Sequence, residues 1–380
     1  MKILIVRANQ GFPDSRVEKE IFSLSKEYDV ELLGWNRTKE NDSVVDEKVK
    51  IGNKDILFHH ICILAPQGEG FAKIAVPMFK FWIAVKKYLS IYLKEYDCIH
   101  FCDFDTAALA FSYVHRQNKR VIYDIFDYYA DAHNAPRPIK NIIRKRENYF
   151  IENSDGVLLC SEKRLEQIKP AIPKKYAIIY NTPSVEMGMT PITIPDESDD
   201  RRIKIVYVGV LSDERYLKEI ADIVIHNPNY EMHVAGFGAL EKYFCNLSEN
   251  YDSIFFYGKI SYTQALYLES KSSIMTALYD PRIPNHKYAS PNKFFEALML
   301  GKPLVMIKGT GMSEFINQYN IGELIDLEKS DFSSQFCEVL EKLQSKNIEK
   351  MSNSCKELYM NLFSWDMMEN DLLKLYRSFE

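Results

Sequence analysis

The stretch IKIVYVGVLSDERYLKEIADIVI, residues 203–225, decides the fold of this chain. It opens with an apolar run that ends in a glycine, as expected of a strand buried on both faces of a parallel sheet. A polar loop follows, and then LKEIADIVI, whose apolar residues recur with the spacing of a helix. Strand, loop and helix in this order are the repeating unit of a doubly wound α/β domain.

Both halves of the chain repeat this unit. In the first half, helical patterns at 17–28 and 105–117 alternate with predicted strands at residues 2–6, 30–34, 96–101, 120–124 and 156–160. In the second half, the predicted strands are residues 203–209, 230–235, 254–257, 274–278 and 303–307. The sequence therefore predicts an α/β protein of two doubly wound, Rossmann-like domains. Ligands of such domains bind at the carboxyl ends of the strands, and two facing domains would enclose a central cleft.

A polar, proline-bearing segment, PITIPDESDDRR, marks the boundary between the two predicted domains. It spans residues 191–202 and is typical of a linker. At 380 residues the chain also exceeds the size at which a single core keeps growing. We predict an N-terminal domain over 1–190, a C-terminal domain over 191–364, and a terminal helix over 365–380 that crosses back to the first domain.

Composition excludes several classes of protein. With 46% hydrophobic and 27% charged residues, the chain is not mainly disordered. Its seven cysteines are odd in number and lack CxxC spacing, which indicates a reducing compartment and argues against a zinc site. The N-terminus does not resemble a signal peptide, and no apolar run reaches about 18 residues. We therefore expect a cytoplasmic protein without a membrane-spanning segment.

A second informative stretch is YASPNKFFEALMLGKP, residues 288–303. Ser290 is predicted to accept a hydrogen bond from a first-turn amide, with Pro291 at the first helical position. Lys293 and Glu296 are three residues apart and so lie on one face of the helix. Taken alone, such a pair is usually a surface ion pair worth about 0.3 to 0.5 kcal/mol. Its neighbours in the fold therefore decide its role.

The predicted strand ends of the second half carry matching groups. The loop GVLSDER brings Arg215 to one strand end, and the glycine loops GFG (236–238) and GTG (309–311) follow two others. Two cations and several backbone amides suit a diphosphate, and a carboxylate suits a pair of sugar hydroxyls. The predicted ligand is a nucleoside diphosphate. A nicotinamide cofactor is disfavoured because the first strand runs into VRANQGFP, which lacks the GxGxxG pattern.

Several motifs then resemble a known family in their order along the chain: FPDSRVEKEIFSLSKEYDVELLGWNR, YDCIHFCDFDTAALA, VIYDIFDYYAD, IYNTP, GVLSDER, SPNKFFEALMLGKPLV and FSW. They look like the retaining glycosyltransferases of family 4, and the resemblance covers nearly the whole chain. It implies the GT-B fold and the transfer of a sugar from a nucleotide diphosphate sugar, of UDP or GDP type. The implied acceptor is a glycan or a lipid-linked molecule in cell-surface polysaccharide biosynthesis.

The resemblance also implies roles for individual residues on the donor side. Glu296 matches the carboxylate that holds the nucleotide ribose, and Lys293 and Arg215 match the basic, catalytic positions at the diphosphate. The other implied donor contacts are Gly11 across the cleft, Gly209, Gly236, Tyr288, Gly309, Thr310 and Gly311. Because two fixed cations would stabilise the departing diphosphate, we expect no metal and no other cofactor.

The chain departs from the family pattern at three places. Tyr288 stands where a second glutamate is common, and Val210 stands where arginine commonly follows the strand glycine. Residues 124–127, Asp-Ile-Phe-Asp, replace an Asp-x-His-Glu segment. The diphosphate and ribose contacts are unaffected by these changes. The acceptor-side candidates are Asp127, which is also a catalytic candidate, Asp131, His133 and His286.

Residues 71–94, FAKIAVPMFKFWIAVKKYLSIYLK, form a segment with five lysines and no acid. It resembles a basic amphipathic helix resting on anionic lipid, which would place the protein peripherally on the cytoplasmic face of a membrane. An ordinary domain helix with a solvated lysine face is the alternative. We expect no nucleic-acid partner.

The implied reaction is retaining sugar transfer by front-face attack, in which the leaving phosphate takes the acceptor proton. Two alternatives stay open. A sugar-nucleotide epimerase shares the architecture, and a degenerate protein would bind nucleotide or lipid without turnover.

Overall fold

The computed structural model describes residues 1–9, 14–41, 43–66, 71–132, 136–185, 188–195, 198, 201–345 and 347–380. These residues form two compact units, Met1–Tyr180 with Asp366–Glu380, and Asn181–Trp365. Each unit alternates strands and helices around one largely or wholly parallel sheet. The predicted fold class, with two doubly wound Rossmann-like domains, is confirmed. Within the described ranges, no helix is long and apolar enough to cross a bilayer.

The first unit contains an eight-stranded sheet of order β3-β4-β2-β1-β5-β6-β7-β8. Its strands are β1 (Lys2–Arg7), β2 (Asp29–Asn36), β3 (Val45–Ile51), β4 (Lys54–Cys62), β5 (Cys98–Cys102), β6 (Arg120–Ile125), β7 (Gly156–Leu159) and β8 (Tyr176–Ile178). Neighbouring strands are parallel except β3 and β4, which form an antiparallel hairpin. The central strands are continuous apolar runs because both faces of the sheet are covered.

The helices of the first unit are α1 (Ser15–Leu24), α2 (Phe71–Tyr92), α3 (Phe104–Ala107), α4 (Phe111–Arg116), α5 (Tyr129–Ala132), α6 (Arg137–Asn153) and α7 (Arg164–Gln167). α2 buries Phe81, Val85 and Leu89, which share one face at helical spacing. The Phe81 ring stacks on Trp35 of β2, with 4.9 Å between ring centroids. This packing anchors α2 to the sheet.

The second unit contains a fully parallel six-stranded sheet of order β11-β10-β9-β12-β13-β14. Its strands are β9 (Ile203–Val210), β10 (Tyr230–Phe237), β11 (Ile254–Phe256), β12 (Ile274–Ala277), β13 (Leu304–Ile307) and β14 (Gly322–Ile325). The order runs outward in opposite directions from β9 and β12. In such sheets, ligands bind beyond the carboxyl ends of the strands where the order reverses.

The helices of the second unit are α8 (Leu217–Ile225), α9 (Glu241–Asn250), α10 (Tyr262–Ser270), α11 (Asn292–Leu300), α12 (Glu314–Tyr319), α13 (Phe332–Ser345) and α14 (Ile348–Leu358). α11 ends at Gly301, which adopts the left-handed conformation with φ of 67°. The last helix of the chain is α15 (Trp365–Arg377).

Three local features differ from the sequence-based expectations. The β3–β4 hairpin was not predicted, because β3 is an exposed edge strand whose side chains are mostly charged. The single helix expected over 105–117 is two short helices, α3 and α4. The predicted cap at Ser290 is wrong: the N-cap is Pro291, and the Ser290 hydroxyl makes no hydrogen bond with any described residue.

Candidate functional site

The candidate donor site lies at the carboxyl ends of β9 and β12, where the strand order of the second sheet reverses. Arg215 occupies a short 3₁₀ turn between β9 and α8. Its guanidinium lies 3.7 Å from the centre of the Tyr279 ring, and Nη1 lies 3.4 Å from the carbonyl oxygen of Leu278. These contacts hold the guanidinium just beyond the ends of the two strands. Burial raises the pKa of Tyr207, and the nearby charges of Lys293 and Arg215 oppose that rise.

Lys293 reaches the same place from the first turn of α11. Its ammonium lies 4.7 Å from the centre of the Tyr207 ring, so Arg215 and Lys293 meet on one tyrosine. Gly209 makes room for the ammonium, because a Cβ there would lie 2.7 Å from Nζ. Burial opposes the charge of Lys293, but nearby tyrosine and glutamate oxygens raise its pKa above the usual value. Lys293 is therefore a cation at neutral pH.

Glu296 lies one helical turn after Lys293 and is only 5% exposed. Burial and the charge of Glu296 raise the pKa values of two groups of α10, the Tyr262 hydroxyl and the carboxyl group of Glu269. Glu269 is itself 1% exposed. Sequence reasoning missed Glu269, because one glutamate in an otherwise ordinary helix carries no motif. The influence of one buried carboxyl group on the other is visible only where α10 packs on α11.

The glycines predicted around the donor fall into two structural groups. Gly236 and Gly311 are required by close packing. An added Cβ would lie 1.8 Å from the carbonyl oxygen of Gly209 in the first case, and 1.6 Å from that of Ala289 in the second. Gly309 instead has φ of 82°, and an added Cβ would meet no described atom within 4 Å. The side-chain position of Gly309 therefore borders open space after β13.

Thr310 and Tyr288 are the other predicted donor-side residues that the structure describes. The Thr310 hydroxyl donates to the carbonyl oxygen of Ile307 at 2.7 Å and is buried, so this side chain does not offer its proton to a ligand. Tyr288 is partly exposed at the end of a 3₁₀ turn, Pro284–Tyr288, ahead of α11. In the same turn, His286 donates from Nδ1 to the carbonyl oxygen of Asp280 at 2.9 Å.

The protonation state of His286 follows from its surroundings. Burial lowers its pKa, so the ring is neutral at pH 7. With the proton on Nδ1, Nε2 is the acceptor nitrogen. The ring also packs edge-on against Tyr279, the residue that stacks on Arg215. His286 therefore lies beside the cation site, although sequence reasoning had placed it on the acceptor side.

In the first unit, Asp127 and Asp131 follow β6 and belong to one polar network. The Asp127 carboxylate pairs with Arg164 at 2.6 Å, and the Asp131 carboxylate pairs with Arg144 at 2.7 Å. Gln167 links the two pairs, accepting from Arg164 and donating to Asp131. Both predicted carboxylates are thus held as charged groups at the carboxyl edge of the sheet.

A second network beneath this edge was not predicted. Arg16 of α1 is 1% exposed and pairs with Asp124 at 2.7 Å and with Glu20 at 3.0 Å. Its guanidinium carbon also lies 4.8 Å from the centre of the Phe126 ring. Burial alone would raise the pKa of Asp124, but Arg16 and His100 hold it below its usual range. Arg16 thereby supports the segment that precedes Asp127.

Next to Arg16, Arg7 at the end of β1 pairs with Asp14 at 2.9 Å and with Asp103 at 2.6 Å. Asp105 lies at the start of α3, and burial together with Asp103 raises its pKa to about 7. A carboxyl group that titrates near neutrality at a strand end is a common feature of functional sites. The sequence contained no signal for it beyond its position after a strand.

Two predicted residues, Gly11 and His133, lie outside the described residues. Among those described, one group has metal-ligand chemistry: donor atoms of His100, Cys102 and Asp124 lie within 4.8 Å of one another. The Arg16 guanidinium already neutralises Asp124 there, and burial raises the pKa of Cys102 well above its usual value. The group therefore suits a structural network better than a metal ion.

Comparisons with known proteins bear on the fold and on the family of the second unit. Residues 193–357 match the family model of glycosyl transferases group 1. No curated protein matches the sequence at a significant level. The chain is similar in structure to a sucrose-phosphate synthase from Thermosynechococcus elongatus, with a TM-score of 0.74 at 14% identity. That alignment covers 100% of this chain and 99% of the other.

Two further structures are similar over the full length of both chains. One is HepE from Anabaena in complex with UDP, with a TM-score of 0.69 at 13% identity. The other is the lipopolysaccharide outer core galactosyltransferase WaaB in its apo form, with a TM-score of 0.60 at 14% identity. These likenesses confirm the predicted GT-B fold. With a group 1 glycosyl transferase domain in residues 193–357 of a GT-B chain, the protein is a glycosyltransferase.

Proposed function

We propose that this protein is a retaining glycosyltransferase of family 4 that takes its sugar from a nucleotide diphosphate sugar. One observation carries the proposal. Arg215 and Lys293 meet at Tyr207, beyond the strand ends where the sheet order reverses, and Glu296 lies one helical turn away. Two fixed cations suit a diphosphate, and a buried carboxylate suits the hydroxyls of a ribose.

In the proposed mechanism, Arg215 and Lys293 bind the donor diphosphate. Negative charge grows on the leaving phosphate as the glycosidic bond breaks, so these cations stabilise the transition state more than the ground state. We assign the backbone amides around Gly309 as hydrogen-bond donors to an oxygen of the sugar or phosphate. Glu296 accepts hydrogen bonds from the ribose hydroxyls. Nε2 of the neutral His286 accepts a hydrogen bond from a hydroxyl of the sugar.

The anomeric configuration of the sugar is retained if the acceptor hydroxyl attacks from the same face of the sugar that the diphosphate leaves. The leaving phosphate oxygen then takes the acceptor proton, so the chain need not supply a separate base. We propose Asp127 and Asp131 as acceptor contacts, because both are charged groups held by arginines at the edge of the first sheet. Asp127 is the more exposed of the two, with 56% of its side chain accessible against 21% for Asp131.

The proposals for the donor nucleotide and for the acceptor rest on the structurally similar proteins. HepE, a protein of the same fold, was crystallised with UDP, and this supports UDP as the donor nucleotide over GDP. WaaB is a lipopolysaccharide outer core galactosyltransferase, which supports an acceptor in cell-surface polysaccharide assembly. A cytoplasmic location would suit both, because nucleotide sugars would be supplied there.

We further propose that α2 rests on anionic lipid at the cytoplasmic face of a membrane. The helix exposes large apolar side chains to solvent, at 67% for Val76, 52% for Phe79 and 59% for Ile91. Lysines lie among them, and Lys80 and Lys87 line a cavity of about 840 Å³ between α2 and the β3–β4 hairpin. Apolar groups flanked by lysines are the features that bind an anionic bilayer surface.

Thermal unfolding with UDP, GDP, ADP and NAD tests the donor site. A ligand at a hundred times its Kd should add about 2.7 kcal/mol, or about 5 to 10 °C in Tm for a unit of this size. Lys293→Met and Glu296→Gln should lose the shift, whereas Lys308→Met, which removes an exposed cation of the same unit, should keep it. A shift with NAD alone, or with none of the four, would refute the proposed donor.

Turnover distinguishes the remaining possibilities. NMR of the product should show the anomeric configuration of the donor retained. A converted nucleotide sugar without transfer would identify an epimerase, and binding without chemistry would identify a degenerate transferase.

Vesicle sedimentation tests the membrane surface. Phe79→Asp should reduce binding to anionic vesicles, and Ile172→Asp, which alters an even more accessible apolar residue elsewhere in the first unit, should not. Equal binding by wild type and Phe79→Asp would rule out α2 as the contact.

A further inference from the structure

Each cation of the candidate donor site lies over a tyrosine ring. The Arg215 guanidinium is 3.7 Å from the centre of the Tyr279 ring, and the Lys293 ammonium is 4.7 Å from the centre of the Tyr207 ring. A cation over the face of an aromatic ring is attracted by the negative electrostatic potential of that face. The two rings therefore stabilise the positions of the two cations.

The cations are held in this way without being neutralised. Among the residues that the structure describes, no ion pair joins Arg215 or Lys293 to a carboxylate. A carboxylate would attract a cation more strongly, but it would also cancel the charge that a diphosphate needs. An aromatic ring has no net charge, so the positive charge stays available for an anionic ligand.

The surroundings of Tyr279 fix the face that its ring offers to Arg215. The ring packs against that of His286, with 5.0 Å between ring centroids and 89° between ring planes. Leu278, the preceding residue, accepts a hydrogen bond from Nη1 of Arg215 at 3.4 Å through its carbonyl oxygen. Two consecutive residues after β12 thus hold one guanidinium. An arginine has five N–H donors, so a single bond to Leu278 leaves the others for phosphate oxygens.

We propose that Tyr279 is a positioning residue, whose ring holds the Arg215 guanidinium in place for the donor diphosphate. The proposal rests on the proposed function for the ligand of Arg215. Arg215 and Lys293 are like charges at the same strand ends, and they repel each other until an anion binds. The Tyr279 ring opposes this repulsion at Arg215, so the guanidinium is already in position when the donor arrives.

Calorimetry with UDP and with uridine tests this role. Uridine has the same base and ribose as UDP but no phosphate, so it reports on the rest of the site. Tyr279→Leu removes the ring, Tyr279→Phe keeps it, and Tyr279 is partly exposed, so both variants should fold. The control is Tyr267→Leu, which removes a ring that lies 5.1 Å from the Lys271 ammonium elsewhere in the second unit.

We expect Tyr279→Leu to weaken UDP binding about tenfold and to leave uridine binding unchanged, because only the phosphate contacts depend on Arg215. Tyr279→Phe should stay within about twofold of wild type for both ligands, as should Tyr267→Leu.

A double-mutant cycle shows whether the ring acts through the guanidinium. In an Arg215→Met background, Tyr279→Leu should cause no further loss of UDP affinity. An equal loss for UDP and uridine, or a loss of UDP affinity that is undiminished in the Arg215→Met background, would overturn the positioning role and leave the proposed function standing.

NMR of the ligand-free protein separates this failure from a failure of the proposed function. The ring current of Tyr279 should shift the Nε–H proton signal of Arg215 to lower frequency than those of the exposed arginines. Arg215→Met identifies the signal, and Tyr279→Leu should abolish the shift while Tyr279→Phe keeps it. If the shift is present and wild type binds no nucleoside diphosphate, the proposed function is wrong, and with it the role assigned to Tyr279. An unshifted signal in wild type, which requires no Tyr279 variant, would overturn the inference by itself.

Discussion

Replacing Arg16 with methionine should destabilise the first unit strongly. The guanidinium is 1% exposed and contacts Asp124 at 2.7 Å and Glu20 at 3.0 Å. Methionine fills much of the same volume but leaves two buried carboxyl groups without their cation. Removing one partner of a buried ion pair costs about 3 to 5 kcal/mol. In a unit of about 200 residues this corresponds to a decrease in Tm of about 6 to 20 °C.

The stability lost in Arg16→Met should also depend on pH, and the direction of this dependence follows from the pKa shifts. In the wild type, Arg16 and His100 lower the pKa of Asp124, so the stability contributed by this carboxylate is lost only as pH falls through that low value. Without Arg16, burial dominates and the pKa values of Asp124 and Glu20 rise. A carboxyl group with a raised folded-state pKa destabilises as pH increases. Arg16→Met should therefore lose more stability relative to wild type at pH 8 than at pH 5.

The control is Arg144→Met. Arg144 also pairs with an aspartate at 2.7 Å, but 43% of its side chain is exposed. Exposed pairs contribute about 0 to 1 kcal/mol, so this variant should lose little stability. Differential scanning calorimetry of both variants at pH 5 and pH 8 makes the comparison. Equal Tm decreases in the two variants, or a deficit for Arg16→Met that shrinks as pH rises, would refute the reasoning.

The remaining predictions concern three other sites in the fold. Burial raises the pKa of Glu147 to about 8, so wild type should lose about 3 kcal/mol relative to Glu147→Gln between pH 6 and pH 9 in urea unfolding. Asp105→Asn should likewise gain stability relative to wild type as pH rises through about 7, because burial and Asp103 raise that pKa. Gly311→Ala should lower Tm more than Gly309→Ala: the first puts a Cβ 1.6 Å from a carbonyl oxygen, and the second adds only the strain of a positive φ, about 1 kcal/mol.

The sheet strands were the most predictable part of the fold. β1, β9 and β12 are apolar on both faces, and a continuous apolar run bounded by polar loops indicates a buried parallel strand without further context. The β3–β4 hairpin escaped prediction because an exposed edge strand can be mostly charged. The break between α3 and α4 escaped because apolar residues continue through both pieces.

The candidate site was predictable only in part, for a related reason. Arg215, Lys293 and Glu296 belong to motifs that follow strands, and strand ends of one parallel sheet meet at one edge. Glu269 lies in the last turn of α10 and Arg16 in the first turn of α1, and no local sequence pattern marks either residue. Their partners are distant in sequence: Asp124 is 108 residues from Arg16. Only packing brings such charged groups together.

The sequence by itself determined the two-domain α/β architecture, because local apolar periodicity encodes the strands and helices. It also predicted Arg215, Lys293 and Glu296 as donor-side candidates, because they belong to motifs that follow strands. The tertiary structure decided which acids are charged. Asp124 and Asp105 look alike in sequence, yet Arg16 lowers the pKa of the first, while burial and Asp103 raise that of the second to about 7. The charge of a buried carboxyl group depends on the groups that folding places around it, and no local pattern contains that information.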